Sequence, residues 1–493
     1  MNQQSTLDST LRRLSVSQAR FVILAFPLLL GLGILVGFSV NTPNYAIAAV
    51  LALAVPISVW ILRRPFNAVI LWLIIGPLFV VTYSPAIRVA YWGAHRALIP
   101  MAAIVAMMIG VARRRIRFGW VEFSLLAYLL VNLFSVLYNY PNAPLSRLYQ
   151  VYDWTVVGIA LFLLIRMTRP REQELKRLMI ALIILTIVQG MVGLMMNFSA
   201  TRGLLPTAWI TTCAERTCGT LGRDAEFSST LTASMLLIAH YAFNTRNRLF
   251  QVLSGIALLL GGVCLVLSFS RSTWLASSVV AVLAIVLYRR MVPYILALVA
   301  VVALILSTNL FSGSMAFARE RLGYQRTVNS RIVSNYSHLA MIQAKPLLGW
   351  GYGNYNRYNL DFVKPLEGVA TTDVYISSHN TYLSMAVELG LLGLVLFLLP
   401  WFLLLGQSLA VYTRLPKHGF YSRELLVVLW LGVLFWFVVT NFMNMRLAAW
   451  GITWVWFLLG LIASVIDNSQ EPDGAFKVTR PGSFGEDTSL ARV

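Results

Sequence analysis

The stretch SSHNTY, which stands just before a long apolar run, contains the side chain best suited to acid–base chemistry in this sequence, His379. Ser377 and Ser378 precede it, and either hydroxyl is predicted to cap the helix that begins there. The positive end of a helix dipole attracts anions and keeps a nearby imidazole neutral, which is the form that a general base requires. Tyr382 lies one turn further along the same helix face. The alternative is a histidine that only anchors a helix end at an interface.

Arginines in three other stretches could bind a phosphate group, because a planar guanidinium donates paired hydrogen bonds to phosphate oxygens. Arg271 stands between two apolar segments in LVLSFSRSTWLAS, where an arginine is costly and usually has a partner or an anionic ligand. Arg331 lies in the polar stretch TVNSRIVSNYSHLAMIQAKP, and Arg223 lies in GTLGRDAEFSS. The alternatives are contacts with lipid headgroups for the loop arginines, and snorkelling or a structural ion pair for Arg271.

The polar stretch around Arg331 is predicted to form an amphipathic helix that ends at Lys345 and Pro346. Arg331 and His338 are seven residues apart and share one face of this helix. A separate apolar stripe is predicted from Val328, Ile332, Tyr336 and Leu339.

The segment after this helix, LLGWGYGNYNRY, interleaves glycines with aromatic rings. Aromatic faces on a flexible loop could stack on sugar rings, but glycine and tyrosine also form ordinary turns, and aromatic residues populate membrane interfaces. Both interpretations stay open for these side chains. The possible glycan contacts are Trp350, Tyr352, Tyr355, Tyr382 and His338.

Composition determines the class of element that must position these residues. The 493 residues are 58% hydrophobic and 12% charged, and the mean hydropathy is +0.73. This is too little polar surface to cover a soluble globule. The sequence therefore predicts an all-α polytopic membrane protein with about fourteen transmembrane helices. The net charge of +20 lies mostly in short basic clusters between apolar runs, which is typical of a topology signal and does not indicate nucleic-acid binding.

The basic clusters alternate from loop to loop, and this alternation predicts that both termini are cytoplasmic. The predicted order is an N-terminus, about eleven transmembrane helices, one large outside loop with short amphipathic helices, about three more transmembrane helices and a disordered tail. The boundaries of these parts are 1–20, 21–311, 312–379, 380–466 and 467–493.

Two of the cysteines, Cys213 and Cys218, lie in CAERTC, within a second outside loop. If the outside is an oxidising compartment, they could form a disulfide that pins this loop, and the alternative is two free thiols. Two thiols are too few for a closed zinc site, so no metal is predicted. Cys264 lies within a span and is expected to be a packing residue.

Three stretches, in order, resemble the O-antigen ligase and Wzy-type polymerase superfamily. They are SFSRS, NSRIVSNYSHLAMIQAKPLLGWGYGNY and HNTYLSMAVELGLLGLVLFL. The earlier GTLGRDAEFSSTLTASMLL is similar to a more weakly patterned stretch of the same family. The resemblance covers residues 200–410 approximately.

The resemblance implies a multi-spanning, GT-C-like glycosyltransferase of the bacterial inner membrane that needs no cofactor or metal. Such an enzyme transfers a glycan from undecaprenyl diphosphate to an acceptor hydroxyl in the periplasm, where the 312–379 loop would be catalytic. By position, His379 matches the family's loop-end histidine and is implied to be the general base. Arg271 and Arg331 match arginines implied to bind the diphosphate. Arg223 matches less well, because the family often has an Asn-rich pattern there. Direct attack on the donor would invert the anomeric carbon.

The identity of the acceptor separates two interpretations within this family. A ligase passes the glycan to the lipid A-core of lipopolysaccharide, whereas a Wzy-type polymerase passes it to a growing O-antigen or exopolysaccharide chain. A lipid-linked glycan transporter is the alternative from another class, but transporters collect polar groups near the bilayer midplane. A metal-dependent oligosaccharyltransferase would need carboxylates in its first outside loop, where this chain has NTPN.

Overall fold

A computed structural model describes residues 57–81, 94–112, 118–139, 145–211, 213, 216–323, 326–364 and 378–470. These residues form helices and irregular segments, with no β-strand among them. The predicted N-terminus, the first transmembrane segment and nearly all of the predicted tail lie outside the described residues, so those predictions stay predictions.

The α-helices of the described residues are numbered in chain order as α1 Asn67–Phe79, α2 Ile99–Ala112, α3 Trp120–Asn139, α4 Leu145–Val151, α5 Val157–Thr168, α6 Glu172–Asn197, α7 Ser199–Arg202, α8 Thr207–Thr211, α9 Asp224–Asn244, α10 Arg248–Leu267, α11 Arg271–Leu287, α12 Val292–Leu306, α13 Ser312–Gly323, α14 Arg326–Ala344, α15 Tyr355–Tyr358, α16 Thr381–Tyr412, α17 Arg423–Thr440 and α18 Ala449–Ser469. Residues 57–63 are also helical. A π-helical turn, Ala94–Leu98, precedes α2, and a second one, Tyr152–Val156, joins α4 to α5. The 3-10 turns are Arg289–Met291, Asn309–Phe311, Asn359–Phe362 and Met445–Leu447.

Within the described residues, 8 helices are long and apolar enough to cross a membrane. They are α3, α4 continued into α5, α6, α10, α12 with the turn before it, α16, α17 and α18. Shorter apolar helices cover Asn67–Leu78, His95–Gly110 and Arg271–Leu287. Helix α9 lies within residues 21–311, which were predicted to contain transmembrane helices, but it is rich in Ser and Thr and is not among the 8. A multi-pass helical membrane protein is therefore confirmed, while about fourteen spans stays a prediction.

Helix α18 lies at the centre of the bundle, and nearly all of its side chains are buried. The ring of Trp450 packs against that of Trp72 of α1 in a tilted arrangement, with ring centroids 4.4 Å apart. Trp456 meets the ring of Phe397 of α16 at 5.7 Å. A helix that is apolar on every side belongs in the interior of a bundle, and the sequence of α18 has this pattern.

At one end of the bundle, partly buried charges connect three helices. Arg166, near the end of α5, forms ion pairs with Glu122 at the start of α3 and with Asp467 near the end of α18. The second pair has an Nε–Oδ2 distance of 3.0 Å. These residues belong to the end predicted to be cytoplasmic. The candidate site lies where α16 and α18 begin, at the opposite end.

Helix α14 ends at Ala344, directly before Lys345, as the sequence predicted. The predicted apolar stripe does not face the core, because its four side chains are 36% to 58% exposed. The buried face instead consists of small, polar and flexible side chains, which pack towards α16. These are Val333, Ser334, Ser337, His338 and Met341.

The chain after α14 is hydrogen-bonded to the backbone of α16. The amides of Trp350 and Gly351 donate to the carbonyls of Val387 and Glu388, at 2.8 and 3.0 Å. The amide of Leu391 donates back to the carbonyl of Pro346 at 2.8 Å. Gly390 has a φ of 70° at this point, inside α16. A side chain at this position would collide with the carbonyl of Leu347, and the backbone conformation would be strained for any residue with a Cβ atom. This contact between the loop and α16 therefore requires glycine.

Candidate active site

Arg271 is the first residue of α11, at the break between α10 and α11. Phe269 has a left-handed φ of 52° in this break, an uncommon conformation for a bulky residue. The indole N–H of Trp274 donates to the carbonyl of Leu265 at 2.9 Å and ties the two helices together. The break therefore holds the half-buried side chain of Arg271 at the junction of two apolar helices, as the sequence predicted.

Arg331 is half-buried on α14. Burial, followed by the positive charges of Arg271 and Arg321, lowers the pKa of its guanidinium. The carboxylate of Asp224 opposes this shift, and the charge of Arg216 adds to it. Charged side chains from α9, α11, α13 and the loop before α9 therefore contribute to the electrostatic environment of Arg331.

His379 lies between Ser378 and the residue that caps α16. That cap is Asn380, whose side chain accepts hydrogen bonds from the amides of Tyr382 and Leu383, both at 2.9 Å. The prediction that a serine caps this helix is wrong for Ser378, and Ser377 lies outside the described residues. Asparagine and serine cap equally well, and here the backbone leaves the extended conformation only after Asn380.

The imidazole of His379 is half-buried. Burial and then the positive charge of Arg331 lower its pKa from the ordinary value. Both effects disfavour the imidazolium form, so the side chain is neutral at physiological pH and can accept a proton. The charge of Arg331 thus affects the pKa of His379, and the charge of Arg271 affects the pKa of Arg331. These electrostatic interactions link three residues from separate parts of the sequence.

A second imidazole supports the backbone beside His379. His338 is fully buried, and its Nδ1 atom lies against the carbonyl of Ser334 one turn earlier on α14. Its Nε2 atom is 2.9 Å from the hydroxyl of Ser378. Because a carbonyl only accepts, Nδ1 carries the proton and Nε2 accepts from Ser378. Burial lowers the pKa of His338 to about 4, which keeps it in this neutral form.

Residues 256–398 match the O-antigen ligase family model, Wzy_C. The resemblance predicted from the sequence is confirmed over this segment, which contains Arg271, Arg331 and His379. Members of this family are ligase- or polymerase-type glycosyltransferases. Arg223 lies outside the matched segment. A comparison with curated proteins finds no match.

Arg223 directly precedes α9, and its recorded partner is an acid on that helix. Its side chain is 57% exposed and lies 3.7 Å from the carboxylate of Glu226, the nearby acid on α9. The positive charge of Arg216 contributes to the lowered pKa of Arg331. In the sequence, the position of Arg216 is marked only by the two cysteines of CAERTC that flank it. Cys213 and Cys218 form a disulfide in the structure.

The rings of Tyr352 and Tyr355 are covered by protein groups, although the sequence suggested glycan contacts for them. The guanidinium of Arg446 lies 4.9 Å from the ring centre of Tyr352. Tyr355 stacks on the imidazole of His338, with ring centroids 4.2 Å apart. All three side chains suggested as glycan contacts here, His338 included, are buried. They shape the loop and offer no open ring face in this structure.

Trp350 and Tyr382 also make contacts inside the protein. The indole N–H of Trp350 donates to the carbonyl of Met341 at 2.9 Å, and the ammonium of Lys345 lies 4.2 Å from its ring. The hydroxyl of Tyr382 donates to the carbonyl of Phe437 at 3.3 Å, so this side chain packs against α17. The aromatic loop of this O-antigen ligase-like segment is therefore a packed element.

A buried ion pair fastens this loop to α16. The carboxylate of Glu388 accepts hydrogen bonds from the backbone amides of Gly353 and Tyr355, at 2.7 and 3.3 Å. Arg446, from the turn before α18, donates to the same carboxylate. Since Tyr355 stacks on His338, the contacts run from Glu388 through Tyr355 and His338 to Ser378. Among the described residues, no three His, Cys, Asp or Glu side chains are grouped as a metal ion would require.

Proposed function

We propose that this protein is a ligase- or polymerase-type glycosyltransferase that uses a polyprenyl-diphosphate-linked glycan as donor. The observation that carries the proposal is the convergence of Arg271 and Arg331 with a neutral His379 at one end of an apolar helical bundle. The match of the surrounding segment to the O-antigen ligase family supports it.

The arginines would hold the donor diphosphate. Several guanidinium groups close together repel one another, and that arrangement is costly unless an anion binds between them. Arg331 is half-buried among such groups. A diphosphate would relieve the repulsion. Because negative charge grows on the diphosphate as the glycosidic bond breaks, the same contacts would stabilise the transition state more than the bound donor.

His379 would act as the general base. It would take the proton of an acceptor hydroxyl as that oxygen forms its bond to the anomeric carbon of the donor sugar. The bond between the anomeric carbon and the diphosphate oxygen would break at the same time, and the electron pair would leave with the polyprenyl diphosphate. Attack from the side opposite the leaving group would invert the anomeric carbon. General-base catalysis of this kind contributes roughly 10² to 10⁴ in rate.

The bilayer supplies the setting for this reaction. A polyprenyl chain stays in lipid, so its diphosphate lies at the membrane surface, where α11 and α16 begin. We propose that this surface is the periplasmic face of a bacterial inner membrane, with undecaprenyl diphosphate as the carrier. The acceptor would be the lipid A-core for a ligase, or the end of a growing glycan for a Wzy-type polymerase.

The test measures glycans in cells that lack the protein and carry wild type, His379→Ala or no copy. If the proposal holds, His379→Ala matches the deletion, and lipid-linked glycan accumulates in both. Long polymer on the carrier indicates a ligase, whereas single repeats on the carrier or on the acceptor indicate a polymerase. His418→Ala is the matched control, because His418 is an exposed histidine that pairs with Glu424 at the start of α17, the opposite end of the bundle.

The amount of each variant in the membrane fraction must match wild type for the comparison to count. Wild-type glycan profiles in cells with His379→Ala would contradict the role of this residue as base. Unchanged glycan pools in the deletion strain would contradict the transferase proposal itself and favour transport.

A further inference from the structure

Helix α14 turns an apolar face away from the rest of the protein. This face, called the α14 stripe below, consists of Val328, Ile332, Tyr336 and Leu339, and all four side chains are exposed. From residue 328 to residue 344, the only Lys, Arg, Asp or Glu is Arg331, which is half-buried. A helix face in water normally carries charged side chains, and an exposed apolar one marks a surface for a membrane or a partner.

The exposed apolar side chains continue beyond α14. Leu347, three residues after the helix ends, is 70% exposed, and Leu348 is exposed as well. The amide of Leu391 donates to the carbonyl of Pro346, so this segment lies beside the part of α16 that follows the break at Gly390. Leu391 is also exposed, and it belongs to a helix that is long and apolar enough to cross a membrane. The α14 stripe is therefore followed by an apolar surface that leads to a spanning helix.

Both ends of α14 are tied to the site end of the bundle. Helix α13, which precedes α14, is held by Ser314, whose hydroxyl forms hydrogen bonds of 3.1 and 3.2 Å with the side chain of Asn197 at the end of α6. The ring of Phe317 on α13 meets Phe269 in the break after α10, with centroids 4.8 Å apart. After α14, Pro346 is bonded to α16.

Helices α6, α10 and α16 are all long and apolar enough to cross a membrane. Helix α14 has 19 residues and is thus about 28 Å long. It extends from a helix that is anchored at the ends of α6 and α10 to a segment bonded to α16. This path follows the level at which the spanning helices leave the hydrocarbon, and it does not lead away from the bundle.

The stretch that contains α14 is basic. Residues 312–364 include seven basic and two acidic side chains. Lys345, directly after α14, is exposed, and its ammonium lies 4.2 Å from the ring of Trp350. Basic residues around an apolar helix face, with aromatic rings at its boundary, are typical of a helix that lies in a membrane interface containing anionic lipid headgroups.

We propose that α14 is an interfacial helix, and that the α14 stripe lies among the upper acyl chains of the lipid leaflet at the site end of the bundle. The inference goes beyond the proposed function, because it does not require glycosyl transfer. An α14 stripe seated in lipid would keep Arg331, on the flank of the same helix, at the level of the headgroups. The competing occupants are water and a second copy of this chain.

The experiment places a fluorophore on the α14 stripe of the full-length protein. Ile332→Cys, Tyr336→Cys and Leu339→Cys are each labelled with a thiol-reactive nitrobenzoxadiazole dye. Each labelled protein is placed, one copy per disc, in nanodiscs of phosphatidylethanolamine and phosphatidylglycerol. Asp361→Cys is the matched control, because Asp361 is an exposed acid in the turn Asn359–Phe362.

The native thiols do not compete for the dye under non-reducing conditions. Cys213 and Cys218 form a disulfide, and Cys264 is buried. We expect the dye on the α14 stripe to emit at a shorter wavelength than on the control. Lipids with a nitroxide high on the acyl chain should quench it more strongly than iodide in water, and the order should be reversed for the control.

Stronger quenching by iodide at the three stripe positions, as at the control position, would overturn the inference, since water would then cover the α14 stripe. Protection from iodide that appears only when two copies share a disc would also overturn it, because a second copy would then be the occupant. No step of the measurement involves transfer of a glycan, so its outcome is independent of the proposed function.

Thermal unfolding in detergent provides a second measurement. Ile332→Asn combined with Leu339→Asn should leave the Tm close to that of wild type, because neither side chain packs inside the protein. Val333→Asn, on the buried face of the same helix, should lower the Tm because it buries a polar amide. A fall in the double variant as large as that in Val333→Asn would show that the α14 stripe packs against protein, which would contradict the inference.

Discussion

His338 accepts a hydrogen bond from the hydroxyl of Ser378 across 2.9 Å, so a buried imidazole on α14 fixes the residue next to His379. The hydroxyl of Ser378 is also hydrogen-bonded to the hydroxyl of Ser384 on α16, and the side-chain amide of Asn444 donates to Ser384 at 3.0 Å. The segment that carries the candidate base is therefore held from two sides. A base must keep its position relative to the donor, since small displacements are costly in rate.

Replacing His338 should slow transfer without weakening donor binding. We expect His338→Ala to lower kcat about tenfold or more at an unchanged donor KM, because only the orientation of His379 is disturbed. His338→Gln keeps an acceptor for Ser378 and should recover part of the rate. The double variant with Ser378→Ala should lose less than the sum of the two single losses, because both changes remove the bond between His338 and Ser378. Strictly additive losses would argue against this coupling.

The pH dependence of transfer should report on His379. Its pKa lies below the ordinary value, so the fraction of neutral base, and with it kcat, should rise with pH and level off at a lower pH than an unperturbed imidazole would give. Arg331→Gln removes a positive charge that lowers this pKa. The acid limb of the profile should then move to higher pH, measured at saturating donor so that weaker binding does not contribute. A limb that stays in place would mean that another group controls the rate.

Arg271→Lys should impair donor binding although it keeps the charge. Lysine offers a point charge and cannot donate the paired hydrogen bonds that guanidinium makes to phosphate. We expect the donor KM to rise by about tenfold, with a smaller change in kcat. Arg246→Lys, between α9 and α10 in the part predicted to be cytoplasmic, is a matched control. A near-normal KM for Arg271→Lys would indicate a structural arginine.

Breaking the buried ion pair between Glu388 and Arg446 should destabilise the protein more than removing both charges. Arg446 is 2% exposed, so Arg446→Met leaves the Glu388 carboxylate buried without its cationic partner. A loss of about 3 kcal/mol or more is expected for such a change. Arg446→Met combined with Glu388→Gln should cost less. Thermal unfolding in detergent compares the two, and equal losses would show that the amides of Gly353 and Tyr355 hold the carboxylate without Arg446.

The candidate site residues that the sequence singles out are those whose charged form is energetically costly at their position in the chain. Arg271 between two apolar runs and an imidazole at a helix start both stand out in this way. The cap of α16 was assigned to the wrong residue because serine and asparagine cap equally well, and only the backbone conformation distinguishes Ser378 from Asn380.

The periodicity of α14 does not reveal which of its two faces is buried against the rest of the protein. A repeat of apolar residues shows that a helix has two faces, but in a membrane protein an apolar face need not point inward. The same limit applies to Arg216 and Arg223, which are close in sequence. Their placement depends on the disulfide and on the partners Asp224 and Glu226, and spacing alone does not reveal these.

The backbone hydrogen bonds between the loop and α16 have a consequence for how this helix inserts into the membrane. The carbonyls of Val387 and Glu388 accept hydrogen bonds from the amides of residues 350 and 351, and the amide of Leu391 donates to the carbonyl of Pro346 in the loop. An unsatisfied backbone group costs several kcal/mol in hydrocarbon. Segment 380–411 is thus not self-sufficient when it enters the bilayer. The loop is synthesised earlier, so it would act as an internal template on which this helix completes its insertion.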